Sequence, residues 1–247
     1  MSLLQVRGLK KAFGGNLAVD GIEFDVQAGE FLALIGPNGA GKTTTFNMVG
    51  GQLTPTAGSV RLGDQELVGL APRKIAALGA GRTFQIAATF ASLPVVENVQ
   101  MALLAHQKKL FSFWRRAAQF ERARALDLLD QVGMLAQAER PCSELAYGDV
   151  KRVELAIALA NDPRLLLMDE PTAGMAPKER NELMRLTKKL VIERNMGVLF
   201  TEHSMDVVFE HSDRMLVLAR GRLVAQGDAD YIRQHPKVQE VDFGTGK

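Results

Sequence analysis

The stretch Gly36-Pro37-Asn38-Gly39-Ala40-Gly41-Lys42-Thr43-Thr44 limits what this sequence can fold into more than any other segment. It fits G-x-x-x-x-G-K-[ST], which cradles phosphate only where a strand runs into it and a helix runs out. Phe31-Leu32-Ala33-Leu34-Ile35 supplies an apolar strand ahead of it, and Thr45-Phe46-Asn47-Met48-Val49 follows with the character of a helix. The glycines let backbone N–H groups turn toward phosphate oxygens with no Cβ between. A helix beginning near Lys42 adds the positive end of its dipole. Lys42 can place its ammonium on the β- and γ-phosphates, and the Thr43 hydroxyl can ligate Mg²⁺. The expectation is a nucleoside-triphosphate site where the strand turns into the helix. The motif alone does not say what hydrolysis would drive.

A chain of 247 residues, 47% of them hydrophobic, suits one α/β domain with a substantial core. The net charge of +2 does not imply strong nucleic-acid affinity. Cys142 is the single cysteine, so no intrachain disulfide can form, which suits a reducing compartment. The first residues, Met1-Ser2-Leu3-Leu4-Gln5-Val6-Arg7, alternate as a strand does and carry no basic-then-apolar leader pattern. No apolar run approaches the length of a membrane span, so any membrane role is expected to be peripheral, through another subunit.

Strands are expected at Leu3 to Leu9 and Gly21 to Gln27, with a turn at Gly14-Gly15-Asn16, and at Ser59 to Leu62. A helix is expected over Pro72 to Leu78, and Arg82 to Gln85 forms a strand edge leading into a loop. From about 86 to 160 the periodicity turns helical, at Val95 to Leu104, Phe120 to Val132 and Val150 to Ala160. This predicts a helical subdomain inserted in a nucleotide-binding core, the whole chain, residues 1–247, being one domain. Strands follow at Leu165 to Asp169, Gly197 to Thr201, Arg214 to Ala219 and Arg222 to Ala225. Helices are expected at Pro177 to Arg194 and Asp228 to Gln234, and the tail from Phe243 is expected to be loose.

Leu165-Leu166-Leu167-Met168-Asp169-Glu170 is the second landmark. An apolar strand can lift two adjacent carboxylates to the sheet edge beside the phosphate loop. Successive strand side chains face opposite ways, so the two should have different tasks. Asp169 can hold Mg²⁺ through water, and Glu170 can act as general base on the attacking water.

With this pair added, the chain resembles the ATP-binding subunits of ABC transporters over nearly its whole length. The resemblance implies a P-loop NTPase core with an antiparallel β subdomain and a helical subdomain. Gln85, in Arg82-Thr83-Phe84-Gln85, stands at the Q-loop position, whose glutamine reaches the metal and the attacking water and senses the membrane subunit. His203, in Thr201-Glu202-His203, matches the switch histidine that contacts the γ-phosphate, and Phe13 the aromatic residue that stacks on adenine. Ala146, Tyr147, Gly148 and Asp149 lie at the signature sequence, which in the family faces the phosphate loop of a second ATP-binding subunit. Ala173-Gly174-Met175-Ala176 matches the D-loop. The resemblance thus implies ATP and Mg²⁺ as cofactors. It implies a second ATP-binding subunit, identical or different, and membrane-spanning permease subunits as partners. A periplasmic solute-binding protein would act indirectly and nucleic acid not at all, at the cytoplasmic face of the inner membrane.

Within the family, Phe13-Gly14-Gly15, Arg82-Thr83-Phe84-Gln85, the segment from Ala105-His106 to Phe113-Trp114, and Tyr147-Gly148-Asp149 are similar to the branched-chain amino-acid importer ATPases. Thr43-Thr44-Thr45-Phe46-Asn47-Met48-Val49 is also similar to the lipopolysaccharide-export ATPase, which keeps a lipid exporter as an alternative. A soluble ABC-type ATPase acting on DNA or ribosomes is the alternative from another class. Against it, the phosphate loop and acidic pair lie only about 125 residues apart, with no sustained heptads between them. Two positions depart from the family pattern. Ala146 stands where the signature has a serine, and Ala176 where asparagine or aspartate is common. A basic and aromatic run, Lys108, Lys109, Phe111, Phe113, Trp114, Arg115, Arg116, Arg122 and Arg124, fits either a solvated face or a surface near anionic headgroups.

Overall fold

The structure, a computed structural model, describes residues 2–83, 89–106 and 121–240. A four-stranded antiparallel sheet has the order β2-β1-β4-β5, with β1 at Leu4–Phe13, β2 at Asn16–Val26, β4 at Ala57–Leu62 and β5 at Gln65–Glu66. A six-stranded sheet has the order β10-β9-β3-β8-β7-β6, with β3 at Phe31–Ile35, β6 at Ala80–Thr83, β7 at Leu165–Asp169, β8 at Gly197–Thr201, β9 at Arg214–Ala219 and β10 at Arg222–Gly227. Strands β6, β7, β8, β3 and β9 run parallel and β10 closes the edge antiparallel.

The helices are α1 (Lys42–Val49), α2 (Pro72–Ala77), α3 (Val95–His106), α4 (Arg122–Gln131), α5 (Tyr147–Leu159), α6 (Pro177–Arg194), α7 (Met205–His211), α8 (Ala229–Gln234) and α9 (Pro236–Gln239). Between β6 and β7 the described chain is helical, and α3, α4 and α5 pack on one another. Arg122 and Arg124, at the end of the basic run, are taken up in ion pairs with Glu139 and Asp162. The rest of that run, like Phe84 and Gln85, lies outside the described residues.

The parallel strands are apolar on both faces because both faces are covered. Along β3, Phe31, Ala33 and Ile35 join a core shared with α3 to α7, while Leu32 and Leu34 join a core shared with α1 and the antiparallel sheet. Strand β8 divides in the same way, Val198 and Phe200 against Leu199. The Phe31 and Phe200 rings meet with centroids 4.8 Å apart, and burial of each stabilises the fold by about 1.5–3 kcal/mol. Cys142 sits in the helical core, where burial pushes its thiol pKa up and keeps it an unreactive small hydrophobe.

Several expected elements hold to the residue: β7, β8, β9 and α6, with Pro177 in the first turn of α6. Strand β1 runs four residues beyond the expected end at Leu9. Gly8, at φ 54°, marks an irregularity in the pairing, and the ladder resumes past it to the hairpin pair Phe13 and Asn16. Helix α7 was not expected, because seven residues are too few to show a helical period.

Candidate active site

The order of the parallel strands sets which loops can meet. Strand β3 lies between β9 and β8, with β7 next to β8, so the phosphate loop, the acidic pair and the His203 loop leave the same carboxyl edge side by side. That edge is where open parallel sheets bind ligands. The register pairs Asp169 with Thr201, and Leu34 with Thr201 on the other side.

Gly36 and Gly41 show why the loop needs glycine. Gly36 has φ 149°, and a Cβ there would lie 2.2 Å from the Leu218 carbonyl oxygen. Gly41 has φ 100°, and its Cβ would lie 2.7 Å from the Ala18 carbonyl oxygen. The turn between β9 and β10 braces the loop from behind, with the Gly221 N–H donating to the Ala40 carbonyl at 3.0 Å. Helix α1 starts at Lys42, where a helix was expected to begin, so its first turn lies inside the motif.

A cavity of about 320 Å³ is lined by Ala18, Asn38, Gly39, Ala40, Gly41, Lys42, Thr43, Thr44, Glu170 and His203. The fold thus brings the loop, Glu170 and His203 to one place. Gly36 and Pro37 do not line the cavity, and their carbonyls accept from the Lys42 ammonium at 2.6 and 3.1 Å. Lys42 is buried, and burial pushes its pKa down while the Glu170 and Asp169 charges pull it back up. A polyphosphate fits this lining: backbone N–H groups in a left-handed loop, a helix N-terminus and one buried ammonium.

The acidic pair divides its tasks by a turn of the chain. Strand β7 ends at Asp169, and Glu170 already has φ 48°, a left-handed conformation that is uncommon outside glycine. Its N–H donates to both the carbonyl and the hydroxyl of Thr201, at 3.1 Å each. The carboxylate swings into the cavity, where Oε1 lies 2.9 Å from Nε2 of His203. Asp169 stays at the strand end, and its Oδ1 accepts from the Thr201 hydroxyl at 2.7 Å. Strand alternation alone would have given two opposite side chains; the turn at Glu170 aims one at the cavity.

Thr43 is exposed at the first turn of α1. Among the described residues, no three His, Cys, Asp or Glu side chains gather into a metal cage. Mg²⁺ is commonly held by one or two carboxylates together with substrate phosphates, so Thr43 and Asp169 fit such an ion.

Arg82 is a neighbour that the motifs did not single out. Its Nη2 lies 2.8 Å from Asn47 Oδ1 and 3.7 Å from Asp169 Oδ2, and it also bonds Gln52 and stacks on the Phe46 ring at 4.8 Å. Burial lowers its pKa, opposed by Asp169. Arg82 therefore ties strand β6 to α1 and to the acid, a role visible only once residues far apart in sequence are packed.

Other expected site residues lie elsewhere. Phe13 ends β1 half-exposed, with the Lys11 ammonium 5.2 Å from its ring centroid, and does not line the cavity. Ala146 caps the N-terminus of α5 with no side-chain acceptor, Tyr147 is exposed beside Gly174, and Gly148 is buried against Glu179. Asp149 falls in the first turn of α5, where a carboxylate suits the helix dipole. None of Ala146 to Asp149 reaches the cavity of their own chain. Ala176 caps α6 without a side-chain acceptor, and only the Glu179 carboxylate closes that end, on the Ala176 N–H at 3.2 Å.

This fold and edge define an ATP-binding cassette, and the comparisons agree: residues 19–173 match the ABC transporter family, to which the chain belongs. It is 42% identical to the high-affinity branched-chain amino acid transport ATP-binding protein LivG of Escherichia coli (strain K12), over 98% of each chain. It is 39% identical, over 98% of each chain, to BraF of Pseudomonas aeruginosa (strain PAO1), which bears the same description. Among solved structures, the ADP conformation of MJ1267, an ATP-binding cassette of an ABC transporter, superposes with a TM-score of 0.86 at 26% identity, covering all of both chains. The dimeric bacterial cassette MJ0796 superposes at 0.76 and 27%, over 91% of this chain and 98% of its own. The chain is thus an ATPase subunit of the ABC type.

Proposed function

We propose that the chain hydrolyses ATP to power import of branched-chain or related amino acids through membrane-spanning permease subunits. The observation that carries the catalytic part is the 2.9 Å contact of Glu170 with His203 over the phosphate loop. Glu170 accepts the proton of the attacking water, and His203 holds Oε1 of that carboxylate and faces the γ-phosphate. Lys42 and the loop N–H groups bind the phosphates and take up charge as the terminal bond breaks. Thr43 and Asp169 would hold Mg²⁺, which would supply Lewis-acid charge to the phosphates. By the family resemblance Gln85 reaches the metal and the attacking water, and Phe13 stacks on adenine. The solute class follows the likeness to LivG and BraF.

The signature surface, Ala146 to Asp149, serves the phosphate loop of a second ATP-binding subunit, of the same or a different chain. A cavity of about 330 Å³, lined by Ile75, Ala76, Ala102, Ala105, Ile157 and Ala158 together with Gln52, Arg73, Arg82 and Asn161, offers the permease a docking place between α2, α3 and α5. Among the described residues, no helix is long and apolar enough to cross a membrane. The chain then sits peripherally on the cytoplasmic face, with a periplasmic solute-binding protein acting through the permease.

Reconstitution with the permease pair tests this. Leucine-loaded binding protein should stimulate ATP hydrolysis and drive leucine into vesicles. Stimulation by lipopolysaccharide, DNA or ribosomes instead would overturn the assignment. The missing serine gives a further expectation. A hydroxyl on phosphate across the dimer is worth roughly 1.5–3 kcal/mol, so Ala146→Ser should tighten ATP-driven dimerisation by about tenfold or more, read by analytical ultracentrifugation. Unchanged dimer affinity would show that α5 already supplies the contact through its backbone.

A further inference from the structure

Glu202 is an acidic side chain at the site edge that the hydrolysis scheme leaves unused. It follows Thr201, the last residue of β8, directly precedes His203, and is 4% exposed. Among the described residues it forms no ion pair with a Lys, Arg or His side chain. Four donors satisfy it instead. Oε1 accepts from the Thr172 N–H at 2.9 Å and the Thr172 hydroxyl at 2.5 Å. Oε2 accepts from the backbone N–H groups of His203 at 3.1 Å and Ser204 at 3.5 Å.

The place of this carboxylate explains what it can do. The β7–β8 ladder ends at the pair Asp169 and Thr201. Beyond that pair the two chains part, one carrying Glu170, Pro171 and Thr172, the other Glu202, His203 and Ser204. Backbone N–H groups past the end of a ladder need an acceptor from outside it. Glu202 supplies one to both chains at once, within two residues of Glu170 on one side and next to His203 on the other.

We propose that Glu202 is a positioning residue that holds the Glu170–His203 pair in hydrolytic geometry, through Thr172 and the backbone of His203. The inference rests on Glu170 and His203 being the reacting pair. Glutamine is the informative replacement because it keeps the volume but has only one accepting oxygen. Whichever way its amide turns, two of the four donors meet an N–H₂ group, so one of the two loops loses its tie.

The test uses the full chain, with steady-state ATP hydrolysis, affinity for a fluorescent ATP analogue and thermal unfolding measured side by side. Misplacing a reacting group by about 1 Å can cost about 10²-fold, so Glu202→Gln should lower kcat by roughly 10- to 100-fold with KM for ATP within about threefold of native. Thr172→Val, which removes one donor and keeps the volume, should lower kcat by a smaller factor. Thr172→Ser, which keeps the hydroxyl, should restore native kcat. A purely structural role would lower stability and nucleotide affinity together with kcat and would not be rescued by serine; that pattern, or native kcat in Glu202→Gln, overturns the proposal. Glu170→Gln run in parallel separates the two assignments: if it turns over at the native rate, the reacting pair itself is wrong and this inference falls with it.

Discussion

Glu170→Gln should lower ATP turnover by about 10²–10⁴-fold, the usual contribution of a positioned general base, while ATP affinity stays near native. The substitution is nearly isosteric. Its amide oxygen can still accept from Nε2 of His203, in place of the carboxylate Oε1 now 2.9 Å away, so the left-handed turn at residue 170 and the His203 loop keep their contacts. What is lost is the ability to take a proton from water. ATP should therefore stay bound between two subunits, and an ATP-dependent dimer should accumulate on size-exclusion chromatography. Single-turnover phosphate release is the direct measurement. A rate within tenfold of native would mean that another group is the base.

Lys42→Ala should act on the other half of the reaction coordinate, by weakening binding instead of slowing turnover alone. Lys42 is buried, and its ammonium already holds the carbonyls of Gly36 and Pro37, so its removal both strips charge from the phosphate site and unties the loop. One to two charge-assisted hydrogen bonds at about 1.5–3 kcal/mol each correspond to a loss of ATP affinity of roughly 10- to 10⁴-fold. Titration calorimetry with ATP reads this directly. Native affinity in the variant would show that backbone N–H groups and the α1 terminus carry the phosphates without the lysine. The two variants are opposites by design: one should bind without turning over, the other should bind weakly.

The parts of the site that could be read from the sequence are those whose physics is local. Gly36 to Thr44 is a contiguous motif whose glycines answer to positive φ angles and close backbone approach within a few residues. Strand β7 is an uninterrupted apolar run that ends in acid, and its length, composition and terminus all lie within six residues. Helix α6 shows a proline start and eighteen residues of helical pattern, so its bounds were plain. Helix α7 and the far half of β1 were missed for the converse reason: one is shorter than two helical periods, and the other is interrupted at Gly8.

Arg82 and Glu202 lie inside stretches the sequence analysis quoted, but nothing local assigned either a role. Arg82 meets Asn47 across 35 residues, and Glu202 meets Thr172 across 30. Each is an ordinary charged residue at a strand end until the strand order puts its partners beside it. The sequence by itself determined that a triphosphate loop and an acidic strand end were present, because each is encoded by neighbouring residues, while the place of His203 rested on the family resemblance. Only the tertiary structure decided that they form one cavity while Ala146 to Asp149 stay outside it. The crossover order β9-β3-β8-β7 places three loops from distant parts of the chain on one edge, and such adjacency is set by packing of the two cores against the sheet, which no short window of sequence contains.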